Sequence, residues 1–295
     1  MRINFLYTCT WLTIIFASIQ VNCLGQGTSV LNGAFVKPDA YIRETNGVKG
    51  YIDYPPLREA DVMYKRRVWQ EIDLRQKFNH PLYFPITPIK DRRNLFDVLM
   101  HYIEVEPMIT AWWAGPLGED DEFTTPLDPN SKAWREAVGK IEYPAKFDEN
   151  GELTGEFDTV YVKVKSEEVT KYRIKEDWIW DRARSERYVR ILGIAPMMEI
   201  KKDGESLGFK PLFWVYYDDA RPVLASEDVY NMFNDAQRRT FDDLFQKRYF
   251  SSYIIKEDNA FDRKISDYTR GIEAIAESER IQQELFNLEH DIWHY

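Results

Sequence analysis

YRIKEDWIW, residues 172–180, is the stretch whose reading decides the fold. Its apolar members Tyr172, Ile174, Trp178 and Trp180 share one parity, so an extended backbone places them on one face, and Glu176 breaks the set. Period two in so aromatic a segment predicts a half-buried strand. The pattern continues outward on both sides. Val160, Val162 and Val164 alternate with Tyr161, Lys163 and Lys165 upstream, and residues 188–201 and 209–217 extend the β signal downstream across Lys202-Asp203-Gly204-Glu205, a turn with glycine at a left-handed position. Asp148-Glu149-Asn150-Gly151 has hairpin chemistry, because Asn-Gly accepts the positive φ angles of a tight primed turn, and strands are expected on either side of it. The centre of the chain reads as an antiparallel meander.

Helical periodicity flanks this centre. Residues 57–77 are predicted helical, since Ala60, Tyr64, Val68 and Ile72 recur every four positions, Pro55-Pro56 precede them and Asn79-His80-Pro81 stops the run. A second helix follows Asp91, with Leu95, Val98, Leu99, Tyr102 and Ile103 on one stripe and Pro107 closing it. Residues 108–114, containing Trp112-Trp113, are β-type, and the acidic stretch 115–130 reads as a surface loop. Ser226, followed by Glu227 and Asp228, is a fitting N-cap for a helix carrying Tyr230, Phe233, Phe241, Leu244 and Phe245, with a short strand expected over 249–255.

The C-terminal segment shows two stripes, Phe261, Ile265, Tyr268, Ile272 and Ile275, then Ile281, Leu285, Leu288 and Ile292, separated by a phase slip. A slip turns the second stripe onto another face. The expectation is therefore that Ile281, Leu285, Leu288 and Ile292 meet a partner or adjacent subunit while Ile265, Tyr268 and Ile272 pack on the chain's own core; a helical hairpin folding back onto the same core is the competing arrangement. The class is α+β: an antiparallel β meander flanked by amphipathic helices, with a long C-terminal helical segment.

Residues 1–25 have signal-peptide grammar: Arg2, an apolar run over 5–18 shorter than the ~20 residues of a spanning helix, then small and polar residues around Gly25. Both cysteines, Cys9 and Cys23, would leave with it, and thiol chemistry with them. The expected organisation is signal peptide 1–25, extended loop-rich arm 26–55, α+β core 56–258 and C-terminal helical segment 259–295. The arm has the character of a strand-donating or partner-wrapping segment. A net charge of −10 disfavours nucleic acid and anionic membrane surfaces. Lys65-Arg66-Arg67 and Arg92-Arg93 read as solvated helix faces.

Chemistry is sparse. His290 and His294 have i, i+4 spacing but no glutamate after the first histidine and no third ligand, so a frayed terminal turn is the better reading. Asp148-Glu149-Asn150-Gly151 carries its glycine two positions too early for an EF-hand. No phosphate loop or nucleophile elbow occurs. A glycosidase needs only two carboxylates and exposed tryptophans, which Glu119, Asp120, Asp121 and Glu122 with Trp112 and Trp113 would supply; paired tryptophans beside a loop more often form a core corner or a protein interface. No catalytic, cofactor-binding or metal residue is assigned. The interface candidates are Trp112, Trp113, Ile281, Leu285, Leu288, Ile292 and the arginines Arg182, Arg184 and Arg187 of the charged turn after Trp180, whose tryptophans Trp178 and Trp180 are expected in the core.

KEDWIWDRARSE at 175–186, running into RILGIAP at 190–196, resembles the central signature of the GldN family, also called PorN. EADVM at 59–63, RRVWQEID at 66–73 and RYFSSYIIK at 248–256 extend the resemblance over most of the chain. The resemblance implies a periplasmic, non-enzymatic component of the type IX secretion system of Bacteroidetes, which exports proteins across the outer membrane and supports gliding. Its implied partners are the outer-membrane lipoprotein GldK (PorK), other copies of itself in a large ring, and the periplasmic region of GldM (PorM), whose inner-membrane partner is GldL (PorL). Membrane insertion and nucleic-acid binding are not implied. The competing expectation is an exported carbohydrate-active enzyme or cell-wall-binding module.

Overall fold

The computed structural model describes residues 29–31, 34–36 and 50–292, apart from short gaps at 90–91, 117, 143–144, 148–152, 158–159, 203–204, 232–233 and 235–236. The signal segment, the tip of the Asn150-Gly151 turn, Phe233, His294 and the side chains of His290 and Ile292 lie outside the described residues. Two units separate by contact, 1–47 and 48–295. In the first, β1 (Ser29–Leu31) pairs antiparallel with β2 (Ala34–Val36).

The second unit holds the following elements in order: β3 (Val62–Asp73), α1 (His80–Tyr83), α2 (Leu95–Glu104), β4 (Ala111–Trp112), β5 (Pro126–Leu127), α3 (Lys132–Val138), β6 (Gly139–Glu142) and β7 (Ala145–Phe147). Then come β8 (Leu153–Phe157), β9 (Val160–Lys163), β10 (Val169–Asp181), β11 (Glu186–Lys202), β12 (Glu205–Pro211), β13 (Trp214–Tyr216) and α4 (Tyr217–Ser226). The chain closes with α5 (Phe241–Gln246), β14 (Tyr253–Glu257), α6 (Ile265–Tyr268) and α7 (Ile272–Ile292). Eight strands make one sheet in the order β14-β3-β10-β11-β13-β4-β5, with β12 also on β11, and each adjacent pair is antiparallel. The strands expected around Asn150-Gly151 are β7 and β8, and β9 pairs with β6.

β10 is central, and its parity sets the layers. Tyr172, Ile174, Glu176, Trp178 and Trp180 face the same side as Ile72, Gln70, Val68, Arg66 and Tyr64, their direct partners on β3. At one end of this face Ile72, Tyr172 and Ile174 form the main core with the buried sides of α2, α4 and α5. At the other end Val68, Trp178 and Trp180 pack on Ile265, Ile281 and Leu285 from α6 and α7. The opposite face buries Trp69, Ala195 and Trp214 beneath Trp112 and Phe123.

The predicted helix over 57–77 is a strand. A spacing of four is also a multiple of two, so Tyr64, Val68 and Ile72 share a strand face as readily as a helix face. Tertiary pairing decides: β3 is laddered along its length to β10. Lys65, Arg66 and Arg67 are consequently not a solvated helix face. Lys65 and Arg67 both bind Asp177, at 2.8 and 2.6 Å, and Arg66 bridges Glu257 and Glu284. The helix after Asp91 is present as α2, capped by the Asn94 side chain accepting from the Asp97 amide at 2.8 Å. Ser226 does not cap a helix: it is the last residue of α4, and its hydroxyl donates back to the Val223 carbonyl. Thr240 caps the next helix, α5, accepting from the Asp243 amide. The Asp218-Asp219-Ala220-Arg221-Pro222 start of α4 carried no helical stripe, because Arg221 is buried and its partner Asp242 lies on another helix.

The C-terminal expectation fails for Ile281, Leu285, Leu288, Tyr268 and Ile272 and holds for Ile265, while the Ile292 side chain lies outside the described residues. Ile281 and Leu285 are fully buried in the chain's own second cluster, with Leu288 packed against it, whereas Ile272 is 84% exposed and Tyr268 and Ile275 are exposed. Only Ile265 of the first stripe is in the core. Gly271, at φ 59, turns the chain between α6 and α7, a break that falls inside the first stripe; the slip between Ile275 and Ile281 lies within the single helix α7, whose first turn is exposed and whose later turns pack on the second cluster. α7 also closes the sheet's edge, since the Ser278 hydroxyl accepts from the Ile254 amide at 3.0 Å.

Two stability measurements follow. Trp180→Ala is expected to cost about 3–5 kcal/mol in urea unfolding, and Trp113→Ala, at an exposed position, under about 1 kcal/mol. A chain ending at Ser278, which lacks Ile281 and Leu285, is expected to show a large drop in thermal midpoint; an unchanged midpoint contradicts the packing described.

Candidate functional site

Beside its small aromatic cluster, the second face of the sheet carries a row of charged side chains, and its elements impose their pairing. Glu71 on β3 stands beside Arg173 on β10 and Tyr253 on β14. It accepts from Arg173 at 2.8 Å, Lys171 at 3.1 Å and the Tyr253 hydroxyl at 2.7 Å. Burial alone would raise the Glu71 carboxyl; Arg173, Lys171 and Tyr253 outweigh it and hold the group below its ordinary range. Burial next to Glu71 pushes the Tyr253 phenol far up, so it stays a donor. Asp177 follows the same logic, its desolvation outweighed by Arg67 and Lys65.

Between these groups the acidic loop lies down on the sheet. Asp121 accepts from the Lys175 ammonium at 3.1 Å and from the Trp69 indole N–H, and its carbonyl also takes Lys175 at 2.8 Å. Burial lowers the Lys175 ammonium despite Asp121. Phe123, at φ 56, inserts its ring edge-on against Trp112, Trp214 and Tyr216. Gly193 makes the room, since a Cβ there would sit 2.5 Å from the Phe123 ring. The stretch expected to be a surface loop is anchored to the sheet by Asp121 and Phe123. Sequence reading missed this, because the partners of Asp121 lie more than fifty residues away in β3 and β10.

The nominated interface residues do not come together. Trp112 is half-buried beside Phe123, and Trp113 is exposed. Trp178 and Trp180 are core, as expected, and the turn after them is exposed, with Ser185 at φ 54. Asp181 is buried at the turn's base, where it accepts from the Ala183 amide and from Arg184 at 3.1 Å. The Arg182 amide donates to the Asp61 carbonyl at 2.7 Å, tying the turn to the start of β3. Arg187 stacks 5.0 Å over the Trp178 ring. Ile281 and Leu285 are committed to this chain's interior. Asp121, one of the carboxylates considered for glycoside chemistry, is committed to Lys175 and Trp69. No group of three or more potential metal ligands occurs among the described residues.

The depressed carboxyls make stability depend on pH. Glu71 and Asp177 contribute fully above the ordinary carboxylate values of 4.5 and 3.8, and that contribution is lost as pH falls through their lower folded values. Urea midpoints measured from pH 7 to 3 are expected to fall, and Glu71→Gln to start lower and fall less steeply. An unchanged slope in that variant refutes the assignment.

No helix among the described residues is long and apolar enough to cross a membrane. No curated protein matches the chain. The family model described as gliding motility associated protein GldN matches residues 57–294, from the approach to β3 through the end of α7. With the sheet, its three apolar clusters and the charged face inside that match, the chain belongs to the GldN family, a component of the gliding-motility and type IX secretion machinery.

Proposed function

We propose that the chain is a non-enzymatic structural subunit of a periplasmic ring in the type IX secretion and gliding machinery, held at the outer membrane by the lipoprotein GldK (PorK) and meeting the periplasmic part of GldM (PorM). The family match over 57–294 carries this reading. The architecture supports it: charges such as the buried Asp177 and the half-buried Asp121 are tied into packing partners, which suits a rigid building block. Exposed apolar groups, among them Ile272 and Ile275 on α7, remain to be covered by neighbours. The charged turn with Arg182, Arg184 and Arg187 and the exposed Trp113 are the contact candidates that this reading retains.

The test is co-purification. Tagged protein from detergent-extracted envelopes is expected to elute with the lipoprotein as a very large particle whose rings are visible by electron microscopy. A monomeric elution with saturable binding to cell-wall glycan would replace this reading with the wall-binding one.

A further inference from the structure

Beside the turn at Lys77–Asn79, between α1 and α5, lies a cavity of about 440 Å³. Its walls are apolar, Pro81 and Leu244 among them, and two aromatic rings stand at it in solvent, Phe78 at 57% and Tyr249 at 44% exposure. Two cations line it, Lys77 and Arg239, and no carboxylate does among the described residues. Arg239 stacks 5.2 Å over the Tyr249 ring and donates to the Gln237 side chain at 3.3 Å. In a chain with 49 acidic and 39 basic residues, a lining whose charged members among the described residues are both cations is a departure. On the charged sheet face Lys65, Arg67, Lys171, Arg173 and Lys175 all meet carboxylates.

Size and charge together define an occupant. A concavity of this volume takes one large side chain with room for its backbone, and such anchors carry most of the energy of an interface. The cations at the mouth favour a carboxylate near the anchor and disfavour a basic one. We propose that this cavity receives an aromatic or large aliphatic side chain from a partner protein segment that bears an acidic residue within two positions of it, the carboxylate meeting Lys77 or Arg239. The proposal rests on the assembly reading only in taking the partner to be a protein of the same machinery.

Fluorescence anisotropy with two labelled peptides, Gly-Asp-Phe-Asp-Gly and Gly-Lys-Phe-Lys-Gly, tests the cavity on the purified full chain. The acidic peptide is expected to bind saturably and at least about fivefold tighter than the basic one, and Phe78→Ala and Arg239→Glu each to weaken it at least about fivefold while leaving the thermal midpoint unchanged. Equal binding of both peptides, insensitivity to both variants, or binding of decanoate alone overturns the proposal. Benzoylphenylalanine in place of Phe78, irradiated in intact cells, is expected to join a second polypeptide. If the large complex forms and no adduct appears, the cavity proposal fails; if no complex forms yet the acidic peptide binds as described, the assembly reading fails and the cavity stands.

Discussion

A carboxylate in the middle of the sheet governs the arrangement of everything around it. Glu176 is fully buried, on the same face as the apolar residues of β10, at the seam between the two hydrophobic clusters. A buried charge costs several kcal/mol unless its lone pairs are satisfied. Three donors satisfy it: Arg248 at 2.8 Å, Gln70 at 3.1 Å and the Trp178 indole at 3.2 Å. Each donor is itself constrained. Arg248 holds a φ of 53 and lies over the Trp178 and Phe250 rings, while the Gln70 carbonyl accepts from Ser252. A one-residue slip of β10 would turn Glu176 to the far face and bring Lys175 or Asp177 into the apolar layer, so the charge helps to fix the register together with the tryptophans.

The two faces of the sheet thus do different physical jobs. One is covered by helices and excludes water. The other is closed by charge pairs and by an acidic loop stapled through Asp121 and Phe123. Pairing of this kind adds little net stability per bridge but strongly penalises any arrangement that leaves a member alone. For a member of an assembly family that trade is favourable, because neighbours then meet a surface of fixed shape.

The sequence was most legible where one periodicity was possible. The period-two apolar set at 172–180 fits a strand and no helix, and β10 is there; the stripe from Leu95 to Ile103 fits a helix and no strand, and α2 is there. Residues 62–73 satisfied both periods, and the choice lay with partners on β10 about a hundred residues downstream. Ser226 has the chemistry of a cap but sits at the wrong end of a helix whose buried Arg221 hid its apolar side. At the C-terminus the phase slip was real, yet a stripe by itself does not say which half faces the core. The glutamate that spoiled the parity of β10 was the informative residue, and no local rule distinguishes such a hub from a misfit.

The sheet's central pairing has a consequence for how the chain must be made. Arg67 and Asp177 are 110 residues apart, and Gln70 and Ser252 are separated by 182. β10 has both of its strand neighbours by Lys202, but β3 cannot complete its own until β14 at Tyr253–Glu257 is available, and loop closure over such spans is slow. Until then one edge of β3 is unpaired and the second apolar cluster, which needs Ile254, Ile281 and Leu285, stays open to solvent, so the elements after β13 decide when the fold is finished.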